Sequence, residues 1–249
     1  MVKINELVNY TQQLMQVECF KDYCPNGLQV EGKSDVFKIV TGVTANMALL
    51  NAAKQAQADL VLVHHGFFWK NEEVRIVGIK KTRIKFLLEN DLNLMAYHLP
   101  LDAHQQLGNN VQLGRILGVD AIDYVGEANL IAYGYLAQAV TLGEFVQDLE
   151  NKLGRTPLVM GDLNRMVHKI AWCTGAAQGY FNEAIGLAVD VYISGEISEQ
   201  TMHQAVESRV SYISAGHHAT ERYGVQALGE HLAEKFNLKH EFIDINNPV

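Results

Sequence analysis

The chain has 249 residues, with 20 Lys plus Arg against 28 Asp plus Glu for a net charge of −8, and 48% of it is hydrophobic. That profile describes a globular protein of one large or two modest domains and excludes disorder, collagen-like repeats and coiled coil. The acidic balance argues against general nucleic-acid binding, which needs clustered Lys and Arg. The longest uncharged run, 128–143, is 16 residues, short of the roughly 20 apolar residues of a membrane helix. The N-terminus, Met1-Val2-Lys3-Ile4-Asn5-Glu6, has no apolar core of a signal peptide. Cys19, Cys24 and Cys173 are too few for a disulfide framework or a Cys-rich zinc site. Together these features predict a cytoplasmic protein with reduced thiols.

Ile4, Leu7, Val8 and Leu14 recur at helical spacing and predict an opening amphipathic helix. Asn26-Gly27 marks a turn ahead of Leu28-Gln29-Val30, and Lys38-Ile39-Val40-Thr41 reads as a strand. A helix over 46–58 leads to the buried strand Leu60-Val61-Leu62-Val63, which runs into His64-His65-Gly66. A helix over 82–90 follows, and the basic run Lys80, Lys81, Arg83 and Lys85 at its start is read as a solvated face. A strand over 92–97 and a helix over 107–117 follow, with Gly118 placed to end the helix. Thr141-Leu142-Gly143-Glu144 has the spacing of a capping box, and Gly154 stops the helix it opens. A strand from Lys169, a helix from about Gln178 and the strand Asp190-Val191-Tyr192-Ile193 come next. A short strand over 210–214 precedes Ala215-Gly216-His217-His218. Glu221, Val225, Leu228, Leu232 and Phe236 stripe the next helix, and a strand over 239–245 closes the chain.

Strands alternating with helices indicate an α/β class with a largely parallel sheet. A shift of 131 positions superposes 38–65 on 169–196 with 6 identities in 28, among them Lys38/Lys169 and Asp59/Asp190. The expected architecture is two packed α/β lobes, related by this faint repeat, over 1–124 and 125–249. The first would carry His64, His65 and Asp102, and the second His217 and Glu221, with the C-terminal segment free to pack back on the first.

Three polar clusters follow strands: His64-His65, His98-Leu99-Pro100-Leu101-Asp102, and His217-His218-Ala219-Thr220-Glu221. Ligands of open α/β sheets gather at the carboxyl ends of strands, where such clusters can converge. Neighbouring residues of a regular strand point to opposite faces, so His64 and His65 share a site only if the strand ends there. His217 or His218 can share a helix face with Glu221. Taken singly, each cluster has an ordinary structural explanation. Burying all of them without a cation would be costly. Imidazole plus carboxylate suits Zn, Mn, Fe or Ni. Five donors exceed the three of an open single-ion site and fit two divalent ions with a bridging carboxylate. Such a pair lowers the pKa of water and polarises the bond under attack. His98 is placed beside the ligands, holding a ligand or substrate. His104 is left undecided, and Glu196 is a candidate to line the crevice. His168, His203, His231 and His240 are read as ordinary surface or helix residues.

With Asp22-Tyr23-Cys24-Pro25-Asn26-Gly27-Leu28-Gln29-Val30-Glu31-Gly32, Val63-His64-His65-Gly66, His98-Leu99-Pro100-Leu101-Asp102, Gly195-Glu196 and Gly216-His217-His218-Ala219-Thr220-Glu221-Arg222 in order, the sequence resembles the Nif-three-like family, the GTP cyclohydrolase 1 type 2 homologues, in its short bacterial form. The resemblance implies two α/β lobes around a dinuclear metal site and a ring-shaped homohexamer. It also implies His64, His65, Asp102, His217 and Glu221 as metal ligands, with Glu221 bridging. The choice of His217 over His218 comes from that resemblance alone. The cyclohydrolase name implies opening of a purine ring.

The leading expectation is therefore a two-metal hydrolase of a small heterocyclic or nucleotide-like substrate, with His98 assisting proton transfer or positioning. Asn26, Gln29 and Asn110 are candidates to hold that substrate. The alternatives are a two-metal phosphoesterase and a non-catalytic metal-binding regulatory or assembly protein. No membrane partner is expected.

Overall fold

The computed structural model describes residues 1–119 and 121–249. It is a mixed α/β structure, and its internal packing divides it into two units, Met1–Gly108 with Gly224–Asn246, and Asn109–Tyr223 with Asn247–Val249. The packing divide falls at 108/109, ahead of 124/125. The reason is the helix Asn109–Leu117, whose Leu113 and Leu117 join the second unit's core. Among the described residues no helix is long and apolar enough to cross a membrane. Among the described residues Cys19, Cys24 and Cys173 form no disulfide.

The first unit is built on a five-stranded sheet in the order 239–242, 38–44, 60–65, 93–96, 27–30 among the described residues. Its first four strands run parallel and the edge strand Gly27–Val30 is antiparallel. Leu60, Val61, Leu62 and Val63 are all fully buried, as a central parallel strand covered on both faces requires. One face packs Leu60 and Leu62 with Leu7, Val225, Leu228 and Leu232, and the other packs Val61 and Val63 with Leu49, Leu50 and Leu87. Each such side chain contributes about 1.5–3 kcal/mol of burial. The helix over 82–90 begins earlier, at Gly78, and keeps its basic residues largely at the surface.

The second unit has a six-stranded sheet in the order 122–125, 131–141, 166–173, 191–194, 211–214, 158–160 among the described residues. Ile131–Thr141 is an 11-residue strand that the sequence shows only as an uncharged run. It shows no regular apolar–polar alternation, because its second half is mostly exposed. The Thr141 capping box forms as expected, with Glu144 N–H donating to Thr141 Oγ1 at 3.2 Å and Thr141 N–H to Glu144 Oε2 at 2.9 Å. The helix expected from Gln178 is a 3-10 turn, Gln178–Tyr180, continued by Phe181–Gly186.

The repeat has a structural counterpart. Ile39 pairs Leu60 in the first sheet and Ile170 pairs Val191 in the second, the same register 131 positions on. Asp59 Oδ2 accepts the N–H groups of Phe37 and Lys38, and Asp190 Oδ2 accepts those of His168 and Lys169. In each unit the next strand is also parallel, followed by an antiparallel edge.

Candidate functional site

In the first unit the strand Leu60–His65 ends on its two histidines, and Gly66 follows against Gln29. Ending there lets the rings turn together, with centroids 4.4 Å apart and planes tilted by 47°. His64 is fully buried, and its Nδ1–H donates to the Tyr97 carbonyl at 2.9 Å. In the neutral ring this leaves a lone pair on Nε2, which faces Asp102 Oδ1 at 3.5 Å. Two acceptors face each other, an arrangement that calls for a cation between them, either a proton or a metal. His65 Nδ1 is 3.3 Å from Thr44 Oγ1 on the neighbouring strand. Donor atoms of His64, His65 and His98 lie within 4.8 Å of one another.

His98 is oriented by a residue that the chemistry of the motifs did not single out. Its Nδ1–H donates to Asp22 Oδ1 at 2.8 Å, while its backbone N–H donates to Asn26 Oδ1 at 2.7 Å. Asp22 Oδ2 also accepts from Leu99 N–H at 3.0 Å and Asn26 Nδ2 at 2.9 Å. Burial would raise the Asp22 carboxyl, but the His98 hydrogen bond and charge, the Asn26 amide and the Leu99 N–H outweigh it and hold it at about 2. Asp22 is therefore an acceptor at neutral pH that fixes Nδ1 as the protonated nitrogen and leaves Nε2 for chemistry. Trp69 packs edge-on to the His98 ring at 5.2 Å. Burial, then the Asp22 and Asp102 carboxylates, push the Cys24 thiol up to about 12. Cys24 is thus a neutral thiol at physiological pH.

The second unit carries His217 and Glu221 on a short turn of helix, His217–Thr220, with Glu221 as its C-terminal cap. Glu221 is therefore not part of the stripe on Arg222–Phe236, whose buried members include Val225, Leu228 and Leu232. His217 Nε2 is 3.2 Å from Glu221 Oε2, and its Nδ1–H donates to Glu196 Oε1 at 2.7 Å. Burial would lower the imidazole, but the hydrogen bonds and charges of Glu221 and Glu196 outweigh it and raise it to about 9. Glu196 orients a histidine, the carboxylate–imidazole pairing that fixes the tautomer of metal-binding histidines. Gly175 has φ +69, and a Cβ there would overlap Glu221 Oε1, so glycine makes room for the carboxylate. Thr220 Oγ1 accepts from Gly175 N–H at 3.1 Å and ties this glycine to the same helical turn.

The polar residues expected to hold substrate each make bonds within the fold. Asn110 is fully buried; its Nδ2 donates to Leu130 O at 2.9 Å and its Oδ1 accepts Thr174 N–H at 3.1 Å. Asn26 is committed to Asp22 and His98, and Gln29 Nε2 donates to Pro25 O at 2.9 Å. His104 Nδ1 accepts the N–H groups of Gln106 and Leu107 and caps a turn. His231 lies on the helix Arg222–Phe236 and bonds Tyr10 Oη at 2.7 Å, while His240 lies on the strand Lys239–Phe242 and bonds Thr41 Oγ1 at 2.8 Å.

A family model, Duf34/NIF3 (NGG1p interacting factor 3), matches residues 2–248. The chain belongs to this family. A Pseudomonas aeruginosa relative called GTP cyclohydrolase 1 type 2 homolog is 50% identical over 251 residues, covering 100% of this chain and 99% of its own. An Escherichia coli relative of the same name is 48% identical over 249 residues, with both chains covered in full. Among solved structures, one titled protein ybgI, unknown function, superposes with TM-score 0.93 at 48% identity, covering 100% of both chains. TTHA1606 from Thermus thermophilus superposes with TM-score 0.91 at 33% identity, again covering 100% of both. Family membership and clusters of His and acidic side chains able to hold a metal ion thus occur together in this chain.

Proposed function

We propose that the protein is a dinuclear metal-dependent hydrolase of a small heterocyclic or nucleotide-like substrate. His64, His65, Asp102, His217 and Glu221 would hold two divalent ions, with Glu221 bridging. The observation that supports this most is the paired orientation of His64 and His217. In each ring Nδ1–H is held by an acceptor, Tyr97 O or Glu196, while Nε2 faces a carboxylate oxygen. Hydrogen bonding of the second ring nitrogen is how proteins preset metal-ligating imidazoles. The donor set, imidazole and carboxylate without thiolate, fits Zn, Mn, Fe or Ni.

Ions held there would supply Lewis acidity and a water of lowered pKa. The chain's own residues supply the rest. Glu196 and Tyr97 O hold the two rings in one tautomer, and Asp22 holds His98 with Nε2 available to move a proton. The name shared by the relatives, GTP cyclohydrolase 1 type 2 homolog, supports a heterocyclic substrate. The test is metal content of protein purified without affinity-tag nickel, beside Glu221→Ala and a His64/Glu221 double alanine variant. About two ions per chain, lost in the double variant, is the expected result. Metal-free, folded wild-type protein would remove the reading, and so would Glu221→Ala with both ions and full turnover. Formate or a ring-opened base among the products favours a cyclohydrolase-type reaction, and released phosphate a phosphoesterase. The ring-shaped hexamer belongs to the same proposal and is checked by the mass of the protein in solution.

A further inference from the structure

Arg155 holds one guanidinium nitrogen, Nη1, buried without a hydrogen-bond partner among the described residues. The helix Leu142–Leu153 stops at Gly154, which adopts the left-handed conformation at φ 70°, and Arg155 follows. Both sides of the loop are tied down. Arg222 Nη2 donates to Leu153 O at 2.7 Å, and Leu158 pairs Ser214 in the sheet. The guanidinium is thereby laid on Gly216, the residue before His217. A Cβ built on Gly216 would overlap Arg155 Nη1 and stand 2.7 Å from its Cδ and 2.8 Å from its Cζ. Gly216 has φ +100, so both its conformation and this close approach exclude a side chain. Nη1 is buried with no hydrogen-bond partner among the described residues. A guanidinium does not lose its proton at physiological pH, and a buried charged donor without an acceptor is costly. The fork of guanidinium N–H groups matches the paired oxygens of phosphate and carboxylate.

We propose that Arg155 is an oxyanion-binding residue and that the substrate carries a phosphate or carboxylate which docks on it beside His217. The inference deepens the hydrolase reading, on which it depends for placing His217 among the metal ligands. The experiment is calorimetric titration of inorganic phosphate and of acetate into the full-length protein, as purified and after chelation. Arg155→Gln and Arg155→Lys are run beside the wild type, each with its metal content and circular dichroism. The expected result is phosphate affinity about tenfold or more weaker in Arg155→Gln and partly restored in Arg155→Lys, with metal content unchanged. Tighter phosphate than acetate identifies a phosphorylated substrate, and the reverse a carboxylate. Equal affinity in wild type and Arg155→Gln overturns the proposal, as does a wild type that binds neither anion. Loss of fold or of metal in both variants also overturns it, by making Arg155 a support of the His217 turn. Metal-replete protein whose anion affinity ignores Arg155 defeats this proposal and spares the hydrolase reading. Arg155-dependent binding in a protein without metal does the opposite.

Discussion

Gly175→Ala puts the candidate centre to its sharpest test. A methyl at this position would overlap Glu221 Oε1 and stand 3.1 Å from Glu221 Cδ and 3.2 Å from His217 Nε2. The backbone cannot yield cheaply, because φ +69 lies in the left-handed region, where a Cβ costs about 1–2 kcal/mol. The carboxylate must therefore move, and metal–ligand distances tolerate only about 0.2 Å. Disturbing a group that merely supports a ligand costs roughly 10–100-fold in metal affinity, and displacing the ligand itself should cost at least as much. With metal chelated, the backbone penalty alone gives a fall in Tm of about 2–8 °C at roughly 2–4 °C per kcal/mol for a chain of this size, and the displaced Glu221 carboxylate adds to it. Calorimetry with and without chelator separates the two effects, and elemental analysis gives the ions retained. Gly179→Ala is the control, because a Cβ there meets nothing within 4 Å. A Gly175→Ala protein that binds both ions with wild-type affinity would refute the argument that Glu221 must occupy this space.

Three further outcomes follow from named contacts. Asp22→Asn removes a carboxyl held at about 2 against an ordinary 3.8, worth about 2 kcal/mol. Because the folded pKa is depressed, that stability is present above pH 3.8 and lost as pH falls to about 2; wild type and variant should therefore differ in denaturant midpoint at neutral pH and converge in acid. Glu196→Gln weakens the hold on His217 Nδ1 without touching Glu221, so metal affinity should drop about 10–100-fold with the fold intact, as read by competition with a chelating dye. Thr141→Ala abolishes the capping box and should cost about 1 kcal/mol in urea unfolding with metal content unchanged.

The α/β class, the buried strand Leu60–His65 and the capping box were legible in the sequence because each rests on local pattern. The repeat was legible too, through Asp59 and Asp190, each of which caps a preceding strand. What the motifs could not reveal was long-range. Asp22 lies 76 positions before His98, and only the turn residues around Asn26 hint that this loop is held in place. Glu196 is the counterpart of His65 under the 131-residue shift, but its task, orienting His217, needs the strand ends in place. Asn110 reads in the sequence as a candidate to hold substrate, and folding buries it as a clamp between Leu130 and Thr174.

The sequence by itself determined most of the elements, though not the strand Ile131–Thr141, together with the types of donor available and the strand ends that carry them. Hydrophobic periodicity, turn chemistry and caps all act within a few residues. The tertiary structure alone decided which nitrogen of each imidazole is held and which carboxylate faces the other. It also decided where a glycine must stand to admit Glu221, and where a guanidinium is left with a buried nitrogen that finds no acceptor among the described residues. Those outcomes depend on directions and distances between segments far apart in the chain, which composition and spacing do not encode.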